Sequence, residues 1–198
     1  MAIAERVADC VRVLHETSVD GSESTFRAWE TFVQSQLERL YDAHLQESGL
    51  REKVCAEMRA FVESTINLTS DEKRLVHADL TEDRLLLMEK DGNRVPPAII
   101  DYADSEVGDV EYEWPVLCLG MFGQDPTMVR AFFEAYDGTR IDEDRRRQMF
   151  AWTLMHRFGP GIVNGFLKER GNPEIGKLDE LFALMWSEER QANRQVGR

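Results

Sequence analysis

Two neighbouring stretches decide the fold: HADLTEDRLLL at residues 77–87 and IIDYADSEVGDVEYEW at residues 99–114. The apolar run at residues 85–88 is too short for a typical helix, and a second short apolar run reaches residue 100. Asp91-Gly92-Asn93 between the runs supplies turn chemistry. The spacing therefore predicts a β-hairpin that joins residues 85–88 to residues 98–101.

Asp79 and Asp101 flank the predicted hairpin, one before its first strand and the other after its second. A hairpin folds the chain back on itself, so we expect the two carboxylates to lie near one another at one open end. Taken singly, each aspartate could equally be an ordinary turn or strand-end carboxylate.

Helical periodicity dominates the chain on both sides of the hairpin. Asp125-Pro126 supplies an N-cap with proline at the first helical position, and Gly159-Pro160-Gly161 is expected to break a long helix. The sequence thus indicates a mainly α (α+β) class, a helical domain with a small central hairpin. The predicted helical segments are residues 3–15, 26–45, 50–66, 110–119, 126–136 and 141–158, with a last apolar stripe at residues 178–186.

Composition limits the classes of function. The chain has 198 residues, of which 42% are hydrophobic, so it can build a core. Its formal net charge is −13. Such an acidic chain is a poor candidate for nonspecific nucleic-acid binding, and it suits a cationic ligand better. The alternative is that the charge serves solubility alone. No apolar run resembles a signal peptide or a membrane span.

Cysteines and histidines outside the two stretches carry weak functional signals. The three cysteines lack CxxC spacing, which argues against a zinc site or a disulfide framework and fits a reducing cytoplasm. His15 and His156 are expected to pack or cap at helix ends, and His44 to lie on the surface. The four tryptophans are expected in the core.

The two stretches resemble the catalytic motifs of the aminoglycoside phosphotransferase and choline-kinase-like family. That family carries H-G-D-x-x-x-x-N, then a strand and a turn, then I-D-[WFY]-x-[DE]-x-x-x-G-D. The resemblance extends to the flanks and implies the C-terminal lobe of a protein-kinase-like fold. It implies an ATP-dependent phosphotransferase that uses Mg²⁺ to move the γ-phosphate to a hydroxyl of a small, cationic molecule such as an aminoglycoside.

The resemblance assigns roles to five residues. Asp79 and His77 would be the catalytic residues of the loop, and Asp79 would orient the acceptor hydroxyl and accept its proton. Asp101 would hold the metal. Asp109 would brace the catalytic loop through His77, and Gly108 would allow a close turn there.

Acidic residues of this lobe bind the ammonium groups of the acceptor in the family. Four carboxylates that follow the metal aspartate are therefore candidates for the acceptor site, although each could be merely solvated. They are Asp104, Glu106, Glu111 and Glu113.

Arg84 departs from the family pattern, which has asparagine at this position as a metal ligand. An arginine side chain has donors only and a fixed positive charge, so it cannot ligate a metal. It could contact a phosphate directly, it could mark lost activity, or it could be a solvated arginine after a turn.

The resemblance covers the chain only as a C-terminal lobe over residues 1–198, with the catalytic and metal loops at about residues 75–109. Met1 stands where the first helix of that lobe would begin, and no glycine-rich loop or lysine-bearing strand precedes His77. We therefore expect the nucleotide-binding N-lobe to be absent and this truncated chain alone to be inactive.

Two alternatives to an enzyme stay open. The chain could be a catalytically inactive kinase remnant that acts as a small-molecule or protein binding module, or a fragment with no independent role. The expected partners are a small-molecule acceptor and, over the surface left by the missing lobe, a second copy or another chain.

Overall fold

Helices form most of what this structure, a computed structural model, describes: residues 3–19, 26–69, 72–90 and 92–186. For residues 90 and 93–97 it describes the backbone and not the side chains. The helices are α1 (Ile3–His15), α2 (Trp29–Glu47), α3 (Glu52–Thr65), α4 (Pro126–Tyr136), α5 (Glu143–Met155), α6 (Gly159–Lys168) and α7 (Leu178–Trp186). The strands are β1 (Arg74–Val76), β2 (Leu85–Lys90), β3 (Asn93–Ile99) and β4 (Glu106–Gly108).

Contacts within the chain divide it into two compact units. The first consists of residues 1–27 and 71–142, and the second of residues 28–70 and 143–198. The mainly α class with small antiparallel sheets agrees with the sequence prediction. The interpretation of residues 1–198 as one lobe stays a prediction.

The predicted hairpin is present in the first unit. Strands β2 and β3 pair antiparallel, with Leu85 opposite Ile99 and Leu86 opposite Ala98. The register shifts between Leu86 and Met88, opposite Pro96-Pro97. Prolines have no N–H to donate to the ladder, which accounts for the irregularity. In the predicted turn, Asp91 lies outside the described residues, and Gly92 has a φ of 74°, which glycine adopts without strain.

A second two-stranded ribbon supports the first. Strand β1 pairs antiparallel with β4, so that Val76 lies opposite Glu106 and Arg74 opposite Gly108. This pairing brings His77, the residue after β1, to the segment that follows the hairpin. Gly108 therefore lies at the end of a strand and not in the close turn that we expected.

The core of the first unit is aromatic. Helix α1 packs against α4. The Trp114 ring is fully buried and lies 5.3 Å from that of Phe133 and 5.0 Å from that of Tyr136, both edge-on. Such edge-to-face pairs stabilise beyond the area that they bury. Asp125 caps α4 as predicted, since its side chain accepts hydrogen bonds from the amides of Thr127 and Met128.

One predicted helix of the first unit is wrong. Residues 110–119 are not a continuous α-helix: a short 3₁₀ helix spans Val110–Tyr112, and a π-helical turn spans Val116–Met121. The turn at Glu113 separates them, and Pro115 just after it cannot donate the backbone hydrogen bond that a continuous α-helix from residue 110 requires at its position.

The second unit is a helical cluster of α2, α3, α5, α6 and α7. Trp29 on α2 lies 6.1 Å from Trp152 on α5, centroid to centroid, and both are buried. Phe150 on α5 contacts Phe182 on α7 at 5.5 Å. All four tryptophans of the chain are buried, as predicted.

His44 corrects a prediction. We expected it on the surface, but it is fully buried on α2, and its Nε2 donates to the carbonyl oxygen of Leu154 at 3.0 Å. The apolar surroundings disfavour the charged imidazolium and lower the pKa of His44 to about 4. His44 follows Leu37 and Leu40 at helical spacing on the buried face of α2, so its helical position indicates burial and only its polar side chain suggests the surface.

The Gly159-Pro160-Gly161 stretch ends one helix and opens another. Helix α5 stops at Met155, before the predicted end at residue 158, and α6 begins at Gly159. Proline fits the first turn of a helix because the amide that it lacks would have no intrahelical partner there.

No helix among the described residues is long and apolar enough to cross a membrane.

Candidate active site

The loop between β1 and the hairpin carries Asp79 and has a strained backbone. Ala78 has a φ of 62°, in the left-handed region that costs a non-glycine residue about 1–2 kcal/mol. The buried carboxylate of Glu113 holds this turn, since its Oε2 lies 2.6 Å from the amide nitrogen of His77 and 3.4 Å from that of Ala78. These contacts consequently fix the backbone position from which the side chain of Asp79 projects.

His77 ties this loop to the end of the hairpin. Its Nε2 donates to the carbonyl oxygen of Ile100 at 2.9 Å, and its Nδ1 accepts from the amide of Asp79 at 3.3 Å. Since a carbonyl only accepts and an amide only donates, both contacts require a neutral ring with its proton on Nε2. The ring is buried and packs against Tyr102, 4.9 Å between centroids.

Asp101 follows β3 and lies beside Asp79, as the predicted hairpin requires. Its backbone is left-handed, with a φ of 65°, and its side chain is about half exposed. The Oδ2 atoms of Asp79 and Asp101 lie 3.2 and 3.3 Å from the same atom, Nε of Arg84. The structure therefore brings the two predicted carboxylates together.

Arg84 occupies the space between these carboxylates. Its Nη2 also donates to Asp79 Oδ2 at 3.0 Å, and its Nη1 donates to Asp83 Oδ2 at 2.8 Å. All three nitrogens of the guanidinium thus contact carboxylates. The hydrogen bond to Asp79, with the charges of Asp83, Asp79 and Asp101, raises the pKa of Arg84 above its ordinary value. Of the three alternatives for Arg84, the solvated arginine after a turn is therefore wrong.

The motifs, the hairpin and the converging carboxylates agree with a comparison against known families. A model described as the phosphotransferase enzyme family matches residues 2–150. This chain belongs to the phosphotransferase enzyme family. No curated protein matches the sequence.

A crystal structure of spectinomycin phosphotransferase in complex with ADP and spectinomycin is similar to this family member in fold. The TM-score is 0.51 and the sequence identity is 16%. The match covers 98% of this chain and 64% of that chain. The likeness supports the kinase-like fold that the motifs implied.

Magnesium is implied by the family, but the residues present do not fit it. Mg²⁺ prefers oxygen ligands in near-octahedral geometry, and the position that supplies an amide oxygen in the family motif is Arg84 here. Arg84 already contacts Asp79, Asp83 and Asp101, and a divalent ion about 4 Å from the guanidinium would lose roughly 8 kcal/mol of the attraction that these carboxylates offer, at an effective dielectric constant of about 20. Among the described residues, no group of three or more histidine, cysteine, aspartate or glutamate side chains is placed to hold a metal ion.

Two of the four predicted acceptor carboxylates are engaged inside the protein. Glu106 is buried and accepts from Nη2 of Arg27 at 2.6 Å, and Glu113 is buried against the amide of His77. A carboxylate bound in this way does not reach a ligand, so these two assignments are corrected. Asp104 and Glu111 are half-buried, and their acceptor role stays a prediction.

Bracing of the catalytic loop was assigned to Asp109. The structure shows its Oδ1 accepting from the amide of Glu111 at 2.9 Å, at the start of a 3₁₀ helix. The carboxylate that contacts the loop backbone at His77 is that of Glu113, whereas the role of Asp109 toward His77 stays a prediction. No local pattern marks Glu113, since its contact spans 36 positions of the sequence.

His15, predicted to pack or cap at a helix end, is a further residue near the loop. It is buried, its Nδ1 lies 2.7 Å from the hydroxyl of Tyr136, and its Nε2 lies 3.8 Å from Oε2 of Glu113. Helices α1 and α4 therefore contribute His15 and Tyr136 to the polar side chains around Glu113, the residue that contacts the catalytic loop.

Proposed function

We propose that this chain is the acceptor-side lobe of a phosphotransferase that transfers the γ-phosphate of ATP to a hydroxyl of a small, cationic molecule. The convergence of Asp79 and Asp101 on one guanidinium nitrogen carries the proposal, because the family chemistry requires those two carboxylates side by side. The similar structure holds ADP and spectinomycin, which supports a nucleotide donor and a small-molecule acceptor. The net charge of −13 supports a cationic acceptor.

In the proposed reaction the acceptor hydroxyl oxygen attacks the γ-phosphorus. A new phosphorus–oxygen bond forms, the bond to the β-phosphate oxygen breaks, and ADP leaves with that electron pair. Asp79 orients the hydroxyl and accepts its proton. Asp79 must exchange its bond with Arg84 for one with the hydroxyl, while the buried contacts of His77 keep the loop in place.

A second candidate is a binding module without catalysis. The observation that favours it is the fork that Nε and Nη2 of Arg84 form on Asp79 Oδ2. In this arrangement the carboxylate that should receive a proton is already neutralised by an arginine. Such a module would bind a small molecule near the site and transfer nothing.

Transfer from γ-labelled ATP separates the two candidates, measured with the protein at the full length that its gene encodes. A panel of small hydroxyl compounds, including aminoglycosides and choline, serves as acceptors. For an enzyme, Asp79→Asn should lower turnover about 10²–10⁴-fold and leave acceptor binding nearly unchanged. Asp42→Asn, an exposed change on α2, is the matched control.

The outcomes are distinct. Acceptor binding without transfer would support the binding module. Neither binding nor transfer across the panel would contradict both candidates.

The homodimer or partner contact expected from the sequence stays a prediction. Its support is a group of large apolar side chains that are exposed on and beside the hairpin: Leu86, Leu87, Met88, Ile100 and Tyr102. Sedimentation velocity over a range of concentrations tests it. A monomer at every concentration would argue against self-association.

A further inference from the structure

We infer that Arg84 is an internal cation that takes the place of the divalent metal, so that this site is held together without Mg²⁺ and excludes it. The inference rests on the proposed function only to the extent that both concern the same two carboxylates, Asp79 and Asp101. It concerns what occupies the site and not whether phosphate is transferred.

The position of Arg84 is fixed by its backbone. Its amide donates to the carbonyl oxygen of Thr81 at 3.1 Å, and its own carbonyl oxygen accepts from the amide of Ile100 at 2.9 Å. The second bond joins the residue before β2 to the residue before Asp101. The side chain therefore begins at the point where the two ends of the hairpin meet, and a short reach brings it to both carboxylates.

The guanidinium makes the contacts with carboxylates that a cation at this place must make to neutralise them. Each of its three nitrogens contacts a carboxylate, and two of them share Oδ2 of Asp79. Asp79 is mostly buried, with 17% of its side chain exposed, so it needs a positive partner. A guanidinium keeps its charge at every pH at which the protein is folded, so the partner is permanent.

A free arginine poised for phosphate is the competing interpretation, and the charges disfavour it. Arg84 brings one positive charge, and Asp79, Asp83 and Asp101 bring three negative charges. A phosphate that approached Arg84 would meet this excess of negative charge, and the arginine would have to abandon all three partners to bind it. A covalently attached cation also needs no binding from solution, which favours it over a dissolved metal.

The test measures Mn²⁺ as a paramagnetic probe of a divalent site, by water-proton relaxation, with the intact chain. The wild-type protein should show no binding that depends on Asp101 up to about 1 mM Mn²⁺, the range of weak protein sites. Arg84→Asn should raise the affinity for Mn²⁺ by at least about tenfold, because it removes the repelling charge and adds an amide oxygen. Adding Asp101→Asn to that variant should abolish the gain.

Two further variants keep the test decisive. Arg84→Lys retains the charge without the fork and should still exclude Mn²⁺. Arg84→Ala should lower the melting temperature, and Mn²⁺ should restore part of that loss in the variant but have no effect on the wild-type protein. Arg59→Asn, a change of an exposed arginine on α3, controls for loss of a surface charge.

Two outcomes would overturn the inference. The first is Asp101-dependent Mn²⁺ binding by the wild-type protein, and the second is an Arg84→Asn variant that is folded and gains none. Each differs from a failure of the proposed function, which would appear as absent transfer whatever the metal result. Inorganic phosphate added to the wild-type protein should not raise its melting temperature, and an increase that Arg84→Lys removes would favour the phosphate interpretation instead.

Discussion

Oε2 of Glu113 lies 2.6 Å from the backbone nitrogen of His77, inside the first unit of the protein. The carboxylate has no exposed surface, and it reaches the loop at the residue before the left-handed Ala78. A buried carboxylate that accepts from backbone amides forms charge-assisted hydrogen bonds, which are stronger than neutral ones. This contact supports the backbone that presents Asp79.

Removing that carboxylate should destabilise the protein strongly. Glu113→Ala leaves the buried amides of His77 and Ala78 without their acceptor, and we expect a loss of about 2–4 kcal/mol in the free energy of unfolding. Glu113→Gln retains one acceptor oxygen and should lose less. Urea denaturation measures both. Glu16→Ala, at an exposed position just after α1, should change the free energy by less than about 0.5 kcal/mol; equal losses at both positions would contradict the role of Glu113.

His44 should make stability depend on pH. Its pKa is about 4 in the folded protein and about 6.5 in the unfolded chain, so the unfolded chain binds more protons between these values. Stability from this residue is complete above pH 6.5 and falls as the pH drops toward 4, by roughly 3 kcal/mol. Urea unfolding at a series of pH values should show a flatter profile for His44→Gln, whose amide can still donate to Leu154. Parallel profiles for the two proteins would exclude this effect.

Two glycines of α6 should respond in opposite directions to alanine. A Cβ at Gly159 would lie 2.9 Å from the carbonyl oxygen of Leu154 and closer still to that of Thr153, so Gly159→Ala should cost about 1–3 kcal/mol. A Cβ at Gly161 meets nothing within 4 Å, and Gly161→Ala should stabilise the helix by about 0.5–1 kcal/mol. Thermal unfolding of the two variants checks both signs: stabilisation by Gly159→Ala would contradict the close approach there, and destabilisation by Gly161→Ala would contradict the open space at that position.

The ion pair between Arg27 and Glu106 should be coupled. Both Nε and Nη2 of Arg27 donate to Oε1 of Glu106, which is buried, while the arginine is half exposed. Arg27→Met should cost about 1–3 kcal/mol, because the carboxylate loses a charged partner. Adding Glu106→Gln should recover much of that loss, and a double-mutant cycle by urea denaturation measures the coupling. Additive losses would mean that the two side chains act independently.

Local signals predicted the parts of the site that depend on neighbours in sequence. The apolar runs and the turn between them predicted the hairpin, and its pairing of Leu85 with Ile99 then brought Asp79 and Asp101 together. Asp125-Pro126 predicted the first residue of α4 because capping involves atoms only two and three positions away.

Other features failed to follow from the sequence because they depend on distant partners. Glu106 and Glu113 were candidates for the acceptor site, yet the folded chain buries both against groups far away in sequence. His44 was predicted on the surface, yet it is buried and its side chain donates to the backbone of Leu154, 110 positions away in the sequence.

The sequence by itself determined six of the seven α-helices that the structure describes, all but α6, and also the hairpin and the family, because periodicity, turn residues and motif spacing are properties of contiguous chain. Only the tertiary structure decided which charges neutralise one another. Arg84 shows the difference: its presence at the asparagine position is visible in the sequence, but its contacts with Asp79, Asp83 and Asp101 are not. The energy of an ion pair depends on distance and burial, and both are set only when the two ends of the hairpin meet.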